Sequence, residues 1–311
     1  MKQVKTLRRP IVMYTITKSC DMECTYCYND SGSGSQGPSS EDLIENTKKI
    51  AEVAGAINFT GGEPFLRPEL PELLALSSSM GVDNIVTSNG HVFLGNGGRK
   101  VLDQIADHVY IMKIGVAGAS PETNDYIRGD GNFDHAIRCL DIMADYPFIT
   151  CMKAPIDKHN KHELEDFVLL ALQHGVDQLV FGQLIEIGRA SEYLRDLVMN
   201  PDEMQYVKDE LLRLKQAYAG GVKVSRHCTL SGLCQEPGHF YSVTTDGGMS
   251  PCLMREDLAI GNVQTGDVRQ LFNQVDDLRR YVKTHNSVRD LCEGLRREYV
   301  DIGGELISSP T

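Results

Sequence analysis

Cys20, Cys24 and Cys27, in the run SCDMECTYC, place three thiols in one short segment with the spacing Cys-x3-Cys-x2-Cys. Three thiolates from one loop suit three corners of a cubane iron–sulfur cluster and leave one iron open to a substrate or cofactor. A zinc knuckle or a redox disulfide is the alternative use of such cysteines. Structural zinc, however, takes four closed ligands, usually in CxxC pairs, and no nearby His or Cys completes a set. A second group, Cys228, Cys234, Cys252 and Cys292, lies in the C-terminal third with the spacing Cys-x5-Cys-x17-Cys-x39-Cys. Four thiolates in one small region can close a further cluster or a structural zinc site. Cys139, within the helical pattern AIRCLDIM, and Cys151, within the strand pattern FITCMKA, read as core packing.

The elements that must position these residues alternate strictly. Residues 11 to 18 form a β-branched strand leading into the first cysteine loop, and the flexible stretch SGSGSQGPSS separates that loop from a helix beginning near Ser39 or Ser40. Ser39 with Asp42 three residues on fits a capping box, and Leu43, Ile50 and Val53 supply the apolar face of a helix running to about Gly55. There follow strand AINFT, helix 69–79, strand NIVTS, helix 98–107, strand HVYIMKIGV, helix 133–144, strand FITCMKA, helix 161–174 and strand QLVFGQLI. Short β-rich runs alternating with amphipathic helices imply a parallel sheet with right-handed crossovers. The fold class is therefore α/β, with six strands in a curved, partial (β/α)6 barrel whose chemistry sits at the C-terminal strand ends. From about Asn200 the pattern changes to a helix over 201–218, an irregular cysteine-bearing region with the hairpin FYSVTTDGGMSPCL, and a helix over 266–284. The expected division is a barrel over 1–199 and a small α+β unit over 200–311.

Composition narrows the function. The 311 residues carry nine cysteines, 43 acids and 31 bases, a formal charge of −12 that disfavours nucleic acid as a partner. No apolar run approaches bilayer length, and the basic start MKQVKTLRRP leads into a strand and not into a signal-peptide core. A cytoplasmic protein with no membrane partner is expected, and its cysteines are better used for metal ligation than for a disulfide framework.

The first cysteine motif resembles the signature of the radical S-adenosylmethionine (SAM) enzymes, including Tyr26 just before the third cysteine, where that family packs the adenine. The resemblance extends along strand ends. Gly61, Gly62 and Glu63 after AINFT resemble the segment that grips the methionyl amino group, and Ser88 and Asn89 resemble the ribose-side loop. Arg128 matches an arginine that meets the SAM carboxylate, although Gly115 and Ala117 stand where serine and aspartate are usual. The segment IEIGRA, from Ile185, resembles the adenine-lining stretch, with its backbone and not Arg189 as the expected contact. The Cys234-x12-Gly247-x4-Cys252 segment and the downstream IGNV resemble the SPASM module in its shorter, twitch form, which implies an auxiliary cluster on Cys228, Cys234, Cys252 and Cys292.

The resemblance implies SAM and two [4Fe-4S] clusters as cofactors, a flavodoxin or ferredoxin as electron donor, and hydrogen abstraction by a 5′-deoxyadenosyl radical. The outcome is dehydrogenation if the auxiliary cluster accepts the substrate electron, or epimerisation if a thiol returns a hydrogen. Cys252 and Cys151 are the candidate donors. Only 19 residues precede Cys20, too few for a leader-peptide domain of about 80 residues. With the acidic balance, this makes an amino sugar or aminoglycoside the expected substrate, as in neomycin epimerase-like enzymes, met by acids such as Asp30, Asp157, Glu186 and Asp246. Modification of a ribosomal peptide or protein, by an epimerase, crosslinker or sulfatase-maturase type of enzyme, is the alternative, and a non-catalytic iron–sulfur or zinc protein is a third.

Overall fold

The computed structural model describes residues 2–32, 37–226, 239–254 and 256–285. Cys228, Cys234 and Cys292 lie outside the described residues. Six parallel strands are consecutive neighbours in one sheet: β1 (Ile11–Thr17), β2 (Ala56–Gly61), β3 (Asp83–Ser88), β4 (Ile111–Gly115), β5 (Ile149–Ile156) and β6 (Gln178–Gln183). This is the expected α/β class, with a parallel sheet core of the partial-barrel kind. The sheet is wider than six strands. β7 (Lys223–Arg226) adds in parallel beyond β6, and β8 (Phe240–Val243) adds in parallel on the free side of β1, pairing Ile11 with Phe240. β9 (Gly248–Ser250) and β10 (Gly261–Asn262) continue antiparallel from β8 as the hairpin read from TDGG. A single ten-stranded sheet thus runs across the boundary expected near residue 199. The sequence could not reveal this, because β7 and β8 are four-residue strands without a hydrophobic period of their own.

The helices follow their sequence signals. The Ser39 hydroxyl accepts from the Asp42 backbone and donates to its carboxylate, capping α1 (Ser40–Ala51). α2 (Leu70–Ser79), a short turn α3 (His91–Leu94), α4 (Gly98–Ile105), α6 (Asn132–Met143) and α7 (Leu164–Gln173) pack on the outer face of the sheet, whereas α5 (Pro121–Arg128) packs at the strand ends against Ala117 and Leu184. After a single turn α8 (Ala190–Tyr193) comes α9 (Pro201–Ala217), opened by a reciprocal capping box between Asn200 and Glu203, and the chain reaches α10 (Val268–His285). Outward-facing strand residues such as Val12, Tyr14, Ile57, Phe59, Met112 and Ile114 form the main core with these helices.

Inward-facing residues alternate with them. At the N-terminal end of the barrel Ile11, Ala56, Ile85, Ile111, Ile149 and Cys151 make a separate apolar plug, sealed by Val4 and Leu7 of the N-terminal segment. Above the plug the interior opens into a cavity at the C-terminal strand ends. No helix among the described residues is long and apolar enough to cross a membrane.

Candidate functional site

The cavity is lined by Cys20, Cys24 and Cys27 together with residues from the ends of β1 to β6. The cysteine loop is fastened at both ends. Cys20 donates its N–H to Gly32, and Gly32 donates back to Lys18, so the loop opens and closes beside β1. Thr25 donates through both its backbone and its hydroxyl to the carbonyl of Ile127, the penultimate residue of α5. Arg189 forms the third tie. Its Nε donates to the Cys24 carbonyl at 2.9 Å, its Nη1 to the Ser31 carbonyl at 2.7 Å, and its backbone N–H to the Cys27 carbonyl at 3.0 Å. The side chain of Arg189, expected to be a bystander, holds the loop.

α5 delivers Arg128. Ser120 caps its start and Pro121 follows at the first helical position, a signal in SPETNDYIR that could have been read as a helix start. Arg128 is 6% exposed; its Nη1 donates to the Tyr26 hydroxyl at 2.8 Å, and its Nη2 lies 3.6 Å from the Met22 sulfur. Its Nε is buried without a partner. Gly115 explains its own departure from the serine of the resemblance: a Cβ there would stand 2.6 Å from Arg128 Nη1. At Ala117 the backbone N–H donates to Asn124, while the Ala117 carbonyl accepts from Asn160, so the loop after β4 is held by two buried amides where the family has a carboxylate.

Gly61 and Gly62 permit a close approach, but to β1. A Cβ on Gly61 would lie 2.2 Å from the Thr17 carbonyl oxygen, and one on Gly62 would lie 2.0 Å from that of Ser19. Glu63 is 2% exposed, and its carboxylate accepts from the Phe65 and Asn89 backbones and from the Ser88 hydroxyl. Burial outweighs these bonds and lifts its carboxyl to about 7. Asn89 donates to Asp21 at 2.6 Å, and Asp21 in turn meets His91 at 3.3 Å. The hydrogen bond to His91 holds the Asp21 carboxyl below its usual range and raises the imidazole. Tyr26, Gly61, Gly62, Ser88, Asn89, Arg128 and Ile185 all line the one cavity.

No group of three or more His, Cys, Asp or Glu among the described residues is arranged to hold a single metal ion. A cubane offers each thiolate its own iron, so its ligands need not converge on one point. Burial pushes the Cys20 thiol up to about 12 and raises that of Cys24, while Arg128 and Arg189 pull the Cys24 thiol down. Three thiols with two guanidiniums behind them fit a cluster that holds its ligands as thiolates. The unpartnered Arg128 Nε and the lining polar groups fit the carboxylate and hydroxyls of SAM.

Two expectations need correction. Cys151 is wholly buried in the apolar plug, where burial lifts its thiol to about 11, and it does not line the cavity. Its inward-facing register is right, but it sits one layer too deep to meet a substrate as hydrogen donor. The acids proposed for an amino sugar are also elsewhere. Asp30 is exposed and paired with Arg189, and Glu186 with Arg195; Asp157 caps a turn at Asn160, and Asp246 closes the β8–β9 turn. No Asp or Glu lines the cavity among the described residues. Cys252 lies nearby: its sulfur accepts from the Met254 backbone at 3.4 Å, and Leu253 and Met254 form part of the cavity lining together with the first cysteine loop.

A three-thiol loop, a glycine-glycine-glutamate strand end and a buried arginine around the mouth of a parallel half-barrel define an iron–sulfur SAM centre. The family model for the radical SAM superfamily matches residues 14–171, and the chain belongs to that superfamily. Membership implies SAM and one [4Fe-4S] cluster as cofactors. The chain is 30% identical over 216 residues to the mycofactocin maturase MftC of Mycobacterium tuberculosis, covering 66% of this chain and 53% of the relative. It is 21% identical over 313 residues to the PqqA peptide cyclase of Rhizobium meliloti, covering 93% and 80%. Its fold resembles that of Streptococcus suis SuiB bound to the precursor peptide SuiA, with a TM-score of 0.71 at 12% identity, over 92% of this chain and 69% of SuiB. The chain spans about half the length of the maturase it matches.

Proposed function

We propose that this chain modifies a peptide, and that the expected amino sugar is not its substrate. The observation that carries the reading is the sequence likeness to a maturase and a peptide cyclase. The cavity supports it, because among the described residues a polycationic sugar would meet three cationic side chains, Arg128, Lys153 and Arg189, and no carboxylate.

In this reading Cys20, Cys24 and Cys27 hold the cluster, and Arg128 receives the SAM carboxylate beside Tyr26. The Gly61–Glu63 backbone and Asn89 bound the amino and ribose sides, while Ile185 bounds the adenine. When bound, the cluster and SAM together supply the 5′-deoxyadenosyl radical that takes a hydrogen from an unactivated C–H bond. Glu63 positions the Ser88–Asn89 loop through its two carboxylate oxygens, and Arg189 keeps the cysteine loop closed. Cys228, Cys234, Cys252 and Cys292 would hold an auxiliary cluster that withdraws the substrate electron, making the net reaction an oxidation. A flavodoxin or ferredoxin would deliver the initiating electron.

The test is anaerobic reconstitution followed by incubation with SAM, reductant and a peptide library in deuterated water. The expected result is 5′-deoxyadenosine formation with a peptide product lighter by two mass units. A peptide of unchanged mass carrying one deuterium would replace oxidation by epimerisation. Modification of amino sugars with no change in any peptide would overturn the substrate class.

A further inference from the structure

His91, the first residue of α3, does not line the cavity, yet its side chain lies between three segments that do. On one side its Nδ1 is 3.3 Å from the carboxylate of Asp21, the neighbour of Cys20 in the cysteine loop. The same carboxylate accepts from the side-chain amide of Asn89 at 2.6 Å, and the Asn89 Oδ1 accepts from the His91 backbone at 2.9 Å. On the other side the His91 Nε2 is 2.8 Å from the Oδ1 of Asn132. Asn132 directs its amide Nδ2 to the carbonyls of Arg128 and Gly129, each at 2.9 Å.

These bonds fix what each atom does. Both hydrogens on the Asn132 Nδ2 are taken, so the atom facing His91 is an acceptor, as is the Asp21 carboxylate. Both imidazole nitrogens must then carry hydrogen, in keeping with Asp21 raising the imidazole. The His135 ring meets that of His91 edge to face at 5.0 Å and restricts its rotation. The His91 and Asp21 side chains are 24% and 37% exposed, so the ion pair adds little to global stability. Its consequence is geometric. Thr25 already ties the middle of the cysteine loop to the Ile127 carbonyl, and His91, through Asn132, ties the start of that loop to the carbonyl of Arg128, the next residue.

We infer that His91 is a positioning residue that holds the cysteine loop, the Ser88–Asn89 loop and the Arg128-bearing end of α5 in one register. Its bearing on SAM rests on the assignment of Asn89 and Arg128 to that cofactor.

Hydrogen–deuterium exchange on the apoprotein and equilibrium dialysis of labelled SAM on the reconstituted protein test the role. His91→Phe keeps a ring against His135 and removes both N–H groups. Backbone exchange is expected to rise over both the cysteine loop and the end of α5, and the SAM dissociation constant to rise about fivefold. Two further variants divide the tie, because Asn places an amide nitrogen near the Nδ1 position and Gln near that of Nε2. His91→Asn should restore protection to the cysteine loop alone, and His91→Gln to the end of α5 alone, each recovering part of the SAM affinity. A ring that only fills space would not separate these two variants. Increased exchange confined to α3 in His91→Phe would overturn the inference. Arg128→Ala keeps this failure apart from that of the SAM assignment. Affinity lost in Arg128→Ala but not in His91→Phe would sink the positioning role and leave Arg128 at SAM. Exchange that rises at both segments, with SAM affinity unchanged in both variants, would keep the His91 tie and remove Arg128 from SAM.

Discussion

Arg189 donates its Nε–H to the carbonyl oxygen of Cys24 at 2.9 Å, which joins the segment after β6 to the middle of the cysteine loop across 165 residues of chain. With its contacts to Ser31 and Cys27, one residue satisfies three carbonyls of a loop that has no regular secondary structure. Gly188 makes the approach possible, since a Cβ there would stand 2.4 Å from the Cys27 oxygen.

Loss of the guanidinium should therefore loosen the loop before it affects the barrel. Hydrogen bonds from a charged donor are worth about 1.5–3 kcal/mol each. Arg189→Ala is expected to lower the N-terminal cluster's occupancy several-fold on reconstitution, read as iron, sulfide and absorbance near 400 nm, with an unchanged far-UV spectrum. Arg189→Lys should fall between the two, because one ammonium cannot span the Cys24 and Ser31 carbonyls in the fork geometry of arginine. Full occupancy in Arg189→Ala would show that the cluster itself orders the loop.

Gly115 governs Arg128 in the same steric way. In Gly115→Ala the new methyl would stand 2.6 Å from Nη1 and 3.5 Å from the Tyr26 hydroxyl, so the guanidinium must leave its present position. Its Nε is already buried without a partner, which leaves no compensating contact. The expected outcome is a SAM dissociation constant raised by about tenfold or more, equivalent to about 1.4 kcal/mol. Equilibrium dialysis with labelled SAM measures it, and unchanged affinity would remove Arg128 from the SAM carboxylate.

The barrel and the thiol loop were legible because each rests on local pattern: β-branched runs, the helix cap at Ser39, and cysteines within eight residues. What stayed hidden depends on contacts between distant segments. Arg189 looks like an ordinary surface arginine until β6 brings it over Cys24. Lys153, which lines the cavity, had a weak signal, a charge on the inward register of an apolar strand, but the global acidity of the chain pointed to a cationic ligand instead. Overall charge describes the surface, whereas the cavity is set by a handful of inward positions. Strand β8 was read as part of the hairpin, but its place beside β1 escaped because it is fixed by pairing and not by composition.

The auxiliary cluster gives a prediction by counting. If Cys228, Cys234, Cys252 and Cys292 hold a second [4Fe-4S] group, wild-type protein should reconstitute with about eight irons per chain, and the Cys20, Cys24 and Cys27 triple alanine variant with about four. Cys234→Ala should also fall toward four but keep SAM cleavage in the absence of peptide, because the first cluster is untouched. Four irons in the wild type, or a bound zinc, would remove the auxiliary cluster and with it the proposed electron acceptor.

Glu63 should make the stability of the apoprotein depend on pH with a sign opposite to that of most carboxylates. Its folded value of about 7 lies above the ordinary value of 4.5 because burial disfavours the charge more than Ser88, Phe65 and Asn89 favour it. Below pH 4.5 both the folded and the unfolded carboxyl are protonated, and nothing is lost. Between 4.5 and about 7 the unfolded chain gives up its proton while the folded chain keeps it, so stability falls as pH rises. The interval corresponds to about 3 kcal/mol, after which the contribution is constant. Urea unfolding of the apoprotein from pH 4.5 to 8 should show Glu63→Gln gaining on wild type by an amount of that order across the window. Gln, like the protonated carboxyl, keeps one carbonyl acceptor and loses the other, so it is the change with pH, and not the absolute stability, that isolates the charge. Parallel curves for the two proteins across the whole range would mean that the carboxyl is already ionised at pH 4.5, held by the three donors against its burial.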